Sequence, residues 1–149
     1  DILIGDPTWL NELVVDTRPN VLAVLLQLQS QLGEEEMKVQ VEGVDVPWYS
    51  RRVIGLSKGL NPSASHGESI GAQVVGELTF DALLDRLNKM SDGERENSYY
   101  EDIFATLFEH GHEFYTLAIQ PGSWTEIDTI EDLKDAEELY RGWDEGSAA

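Results

Sequence analysis

Val21 to Leu26 is an unbroken apolar run of strand length, and it constrains the fold more than any other segment. A half-buried strand alternates apolar and polar residues, because successive side chains point to opposite faces. A run without alternation needs apolar cover on both faces, as in the inner strands of α/β sheets. The flanking segments supply helices for that cover. Asp6-Pro7 marks a helix start, with Asp as N-cap and Pro at the first helical position. Leu10, Leu13 and Val14 give this helix an apolar face, and Arg18-Pro19-Asn20 breaks it.

The same alternation continues along the chain. Gln27 to Glu35 reads as a polar loop, and Met37 to Val41 as a strand closed by the Glu42-Gly43 turn. Val44 to Leu56 reads as extended, with Arg51 and Arg52 inside it. Ser57 to Gly67 is a loop rich in Ser, Gly, Asn and Pro. Ser69 to Val75 is an apolar strand that contains Gly71, where a bulge and a close approach by ligand or backbone are both open readings. Thr79 is expected to cap a helix running to Met90, with Leu83, Leu84 and Leu87 inward. Ser91 to Asn97 reads as a charged loop. Ser98 is expected to cap a helix from Tyr99 to His110, with Ile103, Phe104, Leu107 and Phe108 inward and Gly111 closing it. Phe114 to Ile119 is a strand, and Pro121-Gly122 a turn. Together these predict an α/β fold with a mixed sheet.

Composition narrows the partners. The chain has 149 residues, 41% hydrophobic and 26% charged, with 10 Lys and Arg against 29 Asp and Glu for a net charge of -19. That surface repels nucleic acid and anionic lipid. A phosphorylated ligand therefore needs a local cation or a metal. No apolar run reaches the length of a membrane span, and the chain opens without a basic leader region, so a cytoplasmic location is expected. With no cysteine, disulfides and thiolate metal sites are excluded. Asp1-Ile2-Leu3-Ile4 reads as a strand already in progress, which gives the expectation that the chain is one part of a longer protein. Residues 142–149 are expected to form a polar tail.

Trp124 to Leu133 reads as a short strand followed at once by a capped helix. Thr129 is a good N-cap, and Asp132 stands where a capping box places its acid. The helix from Ile130 to Arg141 carries Leu133, Ala136, Glu137 and Tyr140 at helical spacing. Asp128 is thereby left at the carboxyl end of a strand, where α/β sheets place ligand chemistry. Two roles stay open for it: a second cap favoured by the helix dipole, or a ligand for a divalent cation.

Other residues carry similar pairs of readings. Lys58, beside Gly59, is a solvated lysine or the counter-charge for a phosphate; the Gly-rich spacing of a P-loop is missing. Tyr99-Tyr100-Glu101-Asp102 opens a helix with two aromatics and two acids. The acids favour the dipole, and the group also suits a cage for a cationic ligand, to which Trp124 and Glu126 would add. His66, His110 and His112 form no metal-ligand spacing.

Taken in order, Asp1–Ile4, Glu36–Val39, Ser57–Leu60, Gly67–Gly71, Tyr99–Asp102 and Trp124–Leu133 follow one family's pattern. The chain resembles the C-terminal half of the sugar-phosphate nucleotidyltransferase-like enzymes, from Asp1 to about Tyr140. Within them it is most similar to the branch with phosphocholine cytidylyltransferases of the bacterial choline pathway and the cytidylyltransferases of phosphonate biosynthesis. The resemblance implies a Rossmann-like three-layer α/β/α fold, with residues 1–141 forming the acceptor- and metal-binding part of one domain.

It also implies a reaction joining a nucleoside triphosphate, CTP favoured, to a phosphate or phosphonate monoester with release of pyrophosphate. Asp1 and Asp128 would hold Mg²⁺, and Lys58 would contact the acceptor's phosphate. Glu68, Tyr100, Glu101, Trp124 and Glu126 would line the acceptor pocket. The family's N-terminal Gly-rich loop, with its Arg and Lys, has no match here. The expectations are therefore an incomplete enzyme, or a noncatalytic phosphomonoester-binding or acidic protein-interaction module. An isolated half sheet also exposes a strand edge, which invites a second copy or a partner chain supplying the nucleotide half.

Overall fold

The computed structural model describes residues 2–26, 31–43, 47 and 51–146. Asp1, the start of the Gln27–Glu35 loop and most of the segment between Gly43 and Arg51 lie outside the described residues.

Among the described residues, seven strands and five helices follow in the order β1 (Ile2–Ile4), α1 (Thr8–Val15), β2 (Asn20–Leu26), β3 (Lys38–Glu42), β4 (Arg52–Ser57), β5 (Gly67–Val75), α2 (Glu77–Lys89), α3 (Asp92–Glu96), α4 (Tyr100–Phe108), β6 (Tyr115–Ile119), β7 (Trp124–Glu126) and α5 (Ile130–Gly146). A 3₁₀ turn at Pro62–Ala64 interrupts the loop before β5. The sheet is mixed. β2 runs antiparallel to β5 and parallel to β6, while β3 pairs antiparallel with both β4 and β5. One residue pair, Arg52 with Tyr115, joins β4 to β6 and closes the five strands into a ring. The ring differs from the open Rossmann-like sheet that the resemblance implies. β1 and β7 form a separate antiparallel pair, Ile2 opposite Glu126 and Ile4 opposite Trp124.

β2 is buried on both faces, as its sequence requires. Leu22 and Val24 join a cluster with Val39, Leu56, Phe104 and Phe114, which α2 and α4 cover. Val21 and Ala23 point the other way, into a cluster with Ile70, Leu117 and the α1 residues Trp9 and Leu13. At about 25 cal/mol per Å² of apolar surface, these two clusters are the main favourable contribution to the fold.

Several local expectations are corrected. Val14 is 74% exposed, because α1 turns its Trp9–Leu13 edge to the sheet. α1 begins at Thr8, one residue later than expected, with Pro7 at the N-cap position and no side-chain cap bond; Asp6 Oδ1 instead accepts from Thr8 N and Thr8 Oγ1 in the turn before it. α2 starts at Glu77, where the Gly76 carbonyl accepts from Thr79 and Phe80. Thr79 is buried inside the first turn, and its hydroxyl is taken by His112 Nδ1 at 2.9 Å. Leu84 is exposed. The charged segment after α2 contains α3, closed by a capping box between Ser91 and Glu94. Ser98 does not cap α4, since its hydroxyl donates to Glu94 O instead. α5 continues through Gly146, beyond the Arg141 expected.

Candidate functional site

A cavity of about 490 Å³ opens where four parts of the chain meet: the turn before β3, the middle of β5, the first turn of α4, and the end of β7. Lys58 reaches it from the end of β4. Lys58, Glu68, Tyr99, Tyr100, Glu101, Trp124, Glu126 and Asp128 line it, whereas Asp102, the last member of the expected cage, is not among the lining residues. Asp1 lies outside the described residues; Ile2, next to it, pairs with Glu126.

Local sequence explains how these side chains arrive there. β5 is bulged: the β2 register passes from Gln73 opposite Leu22 to Ser69 opposite Val24. Gly71 sits in the bulge with φ of +76°, a left-handed value that glycine adopts without strain. The bent strand lets the Tyr100 hydroxyl donate to Gly71 O at 3.3 Å, so β5 and the start of α4 are tied together on one side of the cavity. Partial burial, and then the neighbouring Glu101 carboxylate, push the Tyr100 phenol far above its ordinary range. It remains a neutral donor at any working pH.

At β7, the cap question resolves by geometry. Thr129 Oγ1 accepts from Asp132 N at 3.2 Å, and the Asp132 carboxylate accepts from Thr129 N at 2.8 Å and Asp128 N at 3.1 Å. The hydroxyl of Thr129 holds the Asp132 carboxyl below its usual range. These bonds form the capping box, and Asp128 contributes its backbone N–H to it.

The polar groups of the cavity are unbalanced in two ways. Glu35, Glu36, Glu68, Glu101, Glu126 and Asp128 line the cavity together with Lys58, so carboxylates outnumber cations among the described lining residues. Glu101 is 7% exposed, with the Tyr100 phenol beside it. In addition, the buried Ser69 Oγ and Trp124 Nε1 have no hydrogen-bond partner among the described residues. Buried polar atoms are rarely left unpaired, since each costs about 1–3 kcal/mol. Two such donors and a buried carboxylate on one cavity mark a place for a polar ligand. Tyr99, Tyr100 and Trp124 add aromatic walls, and such faces attract cations.

Lys58 is held from two sides. Its Nζ lies 3.2 Å from Glu35 Oε2 and 4.8 Å from the centroid of the Tyr99 ring. The Glu35 carboxylate, ahead of other causes, raises the lysine's pKa, so it is a fixed positive charge.

Glu35, Glu36 and Ser69 are site residues that the sequence does not point to, while Tyr99 lines the cavity as the proposed aromatic cage requires. Glu34-Glu35-Glu36 reads locally as a solvated loop, and nothing in the sequence reveals its turn toward Lys58. That turn depends on Lys38. Although only 1% exposed, Lys38 donates through Nζ to Gly33 O at 2.7 Å and Glu36 O at 3.1 Å. The Glu36 carboxylate closes the same turn on Gly33 N at 2.6 Å.

Among the described residues no three Asp, Glu or His side chains converge as a metal cluster. The cavity offers hard oxygen donors, Asp128 among them, and these suit Mg²⁺, which one or two carboxylates hold while phosphate and water complete the shell. No helix of the described residues is long and apolar enough to cross a membrane.

Among solved structures the chain is similar to the inositol-1-phosphate CTP transferase from T. maritima, with a TM-score of 0.67 and 22% identity over 98% of this chain and 54% of the other. It is also similar to a CMP:2-keto-3-deoxy-manno-octonic acid synthetase complexed with CTP, with a TM-score of 0.54 and 16% identity over 91% and 54%. A third match is a nucleoside-diphosphate-sugar pyrophosphorylase from Vibrio cholerae RC9, with a TM-score of 0.53 and 13% identity over 83% and 46%. The fold is therefore nucleotidyltransferase-like, and this chain spans about half the length of the proteins it matches. No protein-family model matches the chain, and no curated protein matches it in sequence.

Proposed function

We propose that this chain carries the acceptor- and metal-binding part of a Mg²⁺-dependent nucleotidyltransferase with CTP as the favoured nucleotide, working in the cytoplasm within a three-layer α/β/α domain. The acceptor is a small phosphate or phosphonate monoester with a cationic end, such as phosphocholine or an aminoalkylphosphonate. The observation that carries this reading is the cavity itself: aromatic walls, a buried Glu101 and one lysine, all on a nucleotidyltransferase-like fold. The Tyr99, Tyr100 and Trp124 faces together with Glu101 suit the cationic end. Lys58 suits the phosphate.

In the reaction, an acceptor phosphate oxygen bonds to the α-phosphorus of CTP while the bond from that phosphorus to the bridging oxygen breaks, and pyrophosphate departs with the electron pair. The protein supplies no nucleophile. Its work is to align two anions and offset their charge. Asp128, with Asp1, would hold Mg²⁺, which neutralises the phosphates when bound. Lys58 orients the acceptor phosphate, and Glu101 and the aromatic faces fix its other end.

The test is pyrophosphate release by the complete protein given CTP, Mg²⁺ and phosphocholine or 2-aminoethylphosphonate. Asp128→Asn is expected to lower the rate at least about a hundredfold, with the circular dichroism spectrum unchanged. Full activity in that variant would remove Asp128 from the reaction.

A second reading is a phosphomonoester-binding module without chemistry. It predicts calorimetric binding of the acceptor and no pyrophosphate under any supply of nucleotide and metal. An acidic protein-interaction module would bind neither ligand.

A further inference from the structure

The site's one lysine already has an anion on it. Glu35 is 92% exposed as a side chain, yet its carboxylate lies 3.2 Å from Lys58 Nζ instead of extending into solvent. An exposed glutamate on a loose loop gains little by such a pairing, because holding the side chain costs entropy. Here the turn is not loose. The buried ammonium of Lys38 grips the Gly33 and Glu36 carbonyls, and Glu36 grips the Gly33 amide. Residue 35 is therefore presented from a turn braced at both sides. The Lys58 ammonium also lies 4.8 Å from the centroid of the Tyr99 ring, a second contact besides the carboxylate.

We propose that Glu35 is a built-in competitor for the anion position of Lys58, set there by the Lys38-braced turn, and that it restricts the site to dianionic phosphates. The inference rests on the reading of Lys58 as the phosphate contact. Its physical basis is charge exchange. A monoanion that displaces the glutamate replaces one negative charge by another and gains no Coulomb energy at the lysine. A phosphate or phosphonate dianion brings twice the charge and wins the exchange. Glu35 is thus a specificity residue that never needs to touch the reacting atoms, and Lys38 is the positioning residue behind it.

The test is calorimetric titration of the full chain with inorganic phosphate and with dimethyl phosphate, a monoanion, at pH 8 and low salt. Surface ion pairs are worth about 0.2–1 kcal/mol, so Glu35→Gln should bind inorganic phosphate about two- to fivefold more tightly than the parent. Dimethyl phosphate should gain by a similar factor and rise toward measurable binding, because the cost of displacing Glu35 is the same for either anion. Lys38→Met, if its melt shows a folded chain, should shift in the same direction because the turn is released. Lys58→Met should abolish phosphate binding in either background. Equal or weaker phosphate binding by Glu35→Gln, with Lys58→Met still losing it, overturns the competitor role and leaves the lysine reading intact. Failure of both the parent and Glu35→Gln to bind phosphate overturns the two together.

Discussion

Replacing Asn20 by alanine tests the joint on which the whole sheet turns. Asn20 is 2% exposed at the first position of β2. Its Nδ2 donates to Glu113 O at 2.7 Å, and its Oδ1 accepts from Gly76 N at 3.0 Å. One amide thus ties β2 to the turn entering β6 and to the turn where β5 gives way to α2. Both backbone partners are main-chain groups that the sheet and helix leave unpaired. The two bonds are worth a net of about 0.5–1.5 kcal/mol each, and alanine strands an N–H and a carbonyl that together cost more than the bonds alone. The expected loss is about 2–4 kcal/mol, or roughly 5–15 °C in Tm for a chain of this size. Urea unfolding followed by tryptophan fluorescence and by circular dichroism measures it. A loss under about 0.5 kcal/mol would show that water replaces the amide at no cost and that the joint is held by packing alone.

Two further predictions concern single positions. Gly71→Ala and Gly93→Ala should act in opposite directions. At Gly71, φ is +76° and an added Cβ meets only the Tyr100 hydroxyl at 3.5 Å, so the loss is backbone strain of about 1–2 kcal/mol. At Gly93, inside α3, a Cβ meets nothing within 4 Å, and alanine should stabilise by about 0.5–1 kcal/mol. Paired thermal melts decide both signs. His66 accepts a hydrogen bond from Val41 N through Nδ1 at 3.4 Å, and burial, then the Arg51 charge, hold its pKa below 6.5. The unfolded chain therefore binds the proton more readily than the fold does. The stability held by neutral His66 is complete above pH 6.5 and is lost as the pH falls through its lower folded value. Urea midpoints taken from pH 7.5 to pH 5 should decline for the parent and decline less for His66→Gln; parallel curves would exclude His66 as the group.

The elements legible in the sequence are those whose signal is a pattern that burial enforces. β2 needs cover on both faces and receives it. β7 ends at Glu126, and the Thr129–Asp132 box starts α5 as its spacing predicts. Helix starts were misread where the choice of cap depends on distant partners. Thr79 and Ser98 are good caps by residue type. His112, thirty-three residues away, takes the first hydroxyl, whereas the second goes to Glu94 O in the preceding turn of α3, a helix that the sequence reads as a loop. Gly76 serves instead, because its own N–H is claimed by Asn20 from another strand. The ring closure is equally remote, resting on one pair between Arg52 and Tyr115.

The site shows the same division more sharply, because in a chain this acidic residue type alone says little. Glu101 and Glu131 both stand in the first turn of a helix, where either favours the dipole. Glu131 remains on the surface. Glu101 is buried at a cavity, because α4 lays its first turn against the bulge of β5 and α5 lays its first turn against nothing comparable. A helix start next to a strand whose glycine can hold a left-handed φ has a neighbour that bends to meet it. Gly71 and Tyr100 are twenty-nine residues apart in sequence, and one hydrogen bond between them turns a dipole-favoured acid into a wall of the binding site. The tyrosine is then at once the brace and part of the surface that faces the ligand. Removing its hydroxyl therefore tests position and contact together, whereas Gly71→Ala keeps the hydroxyl and strains the bend that receives it.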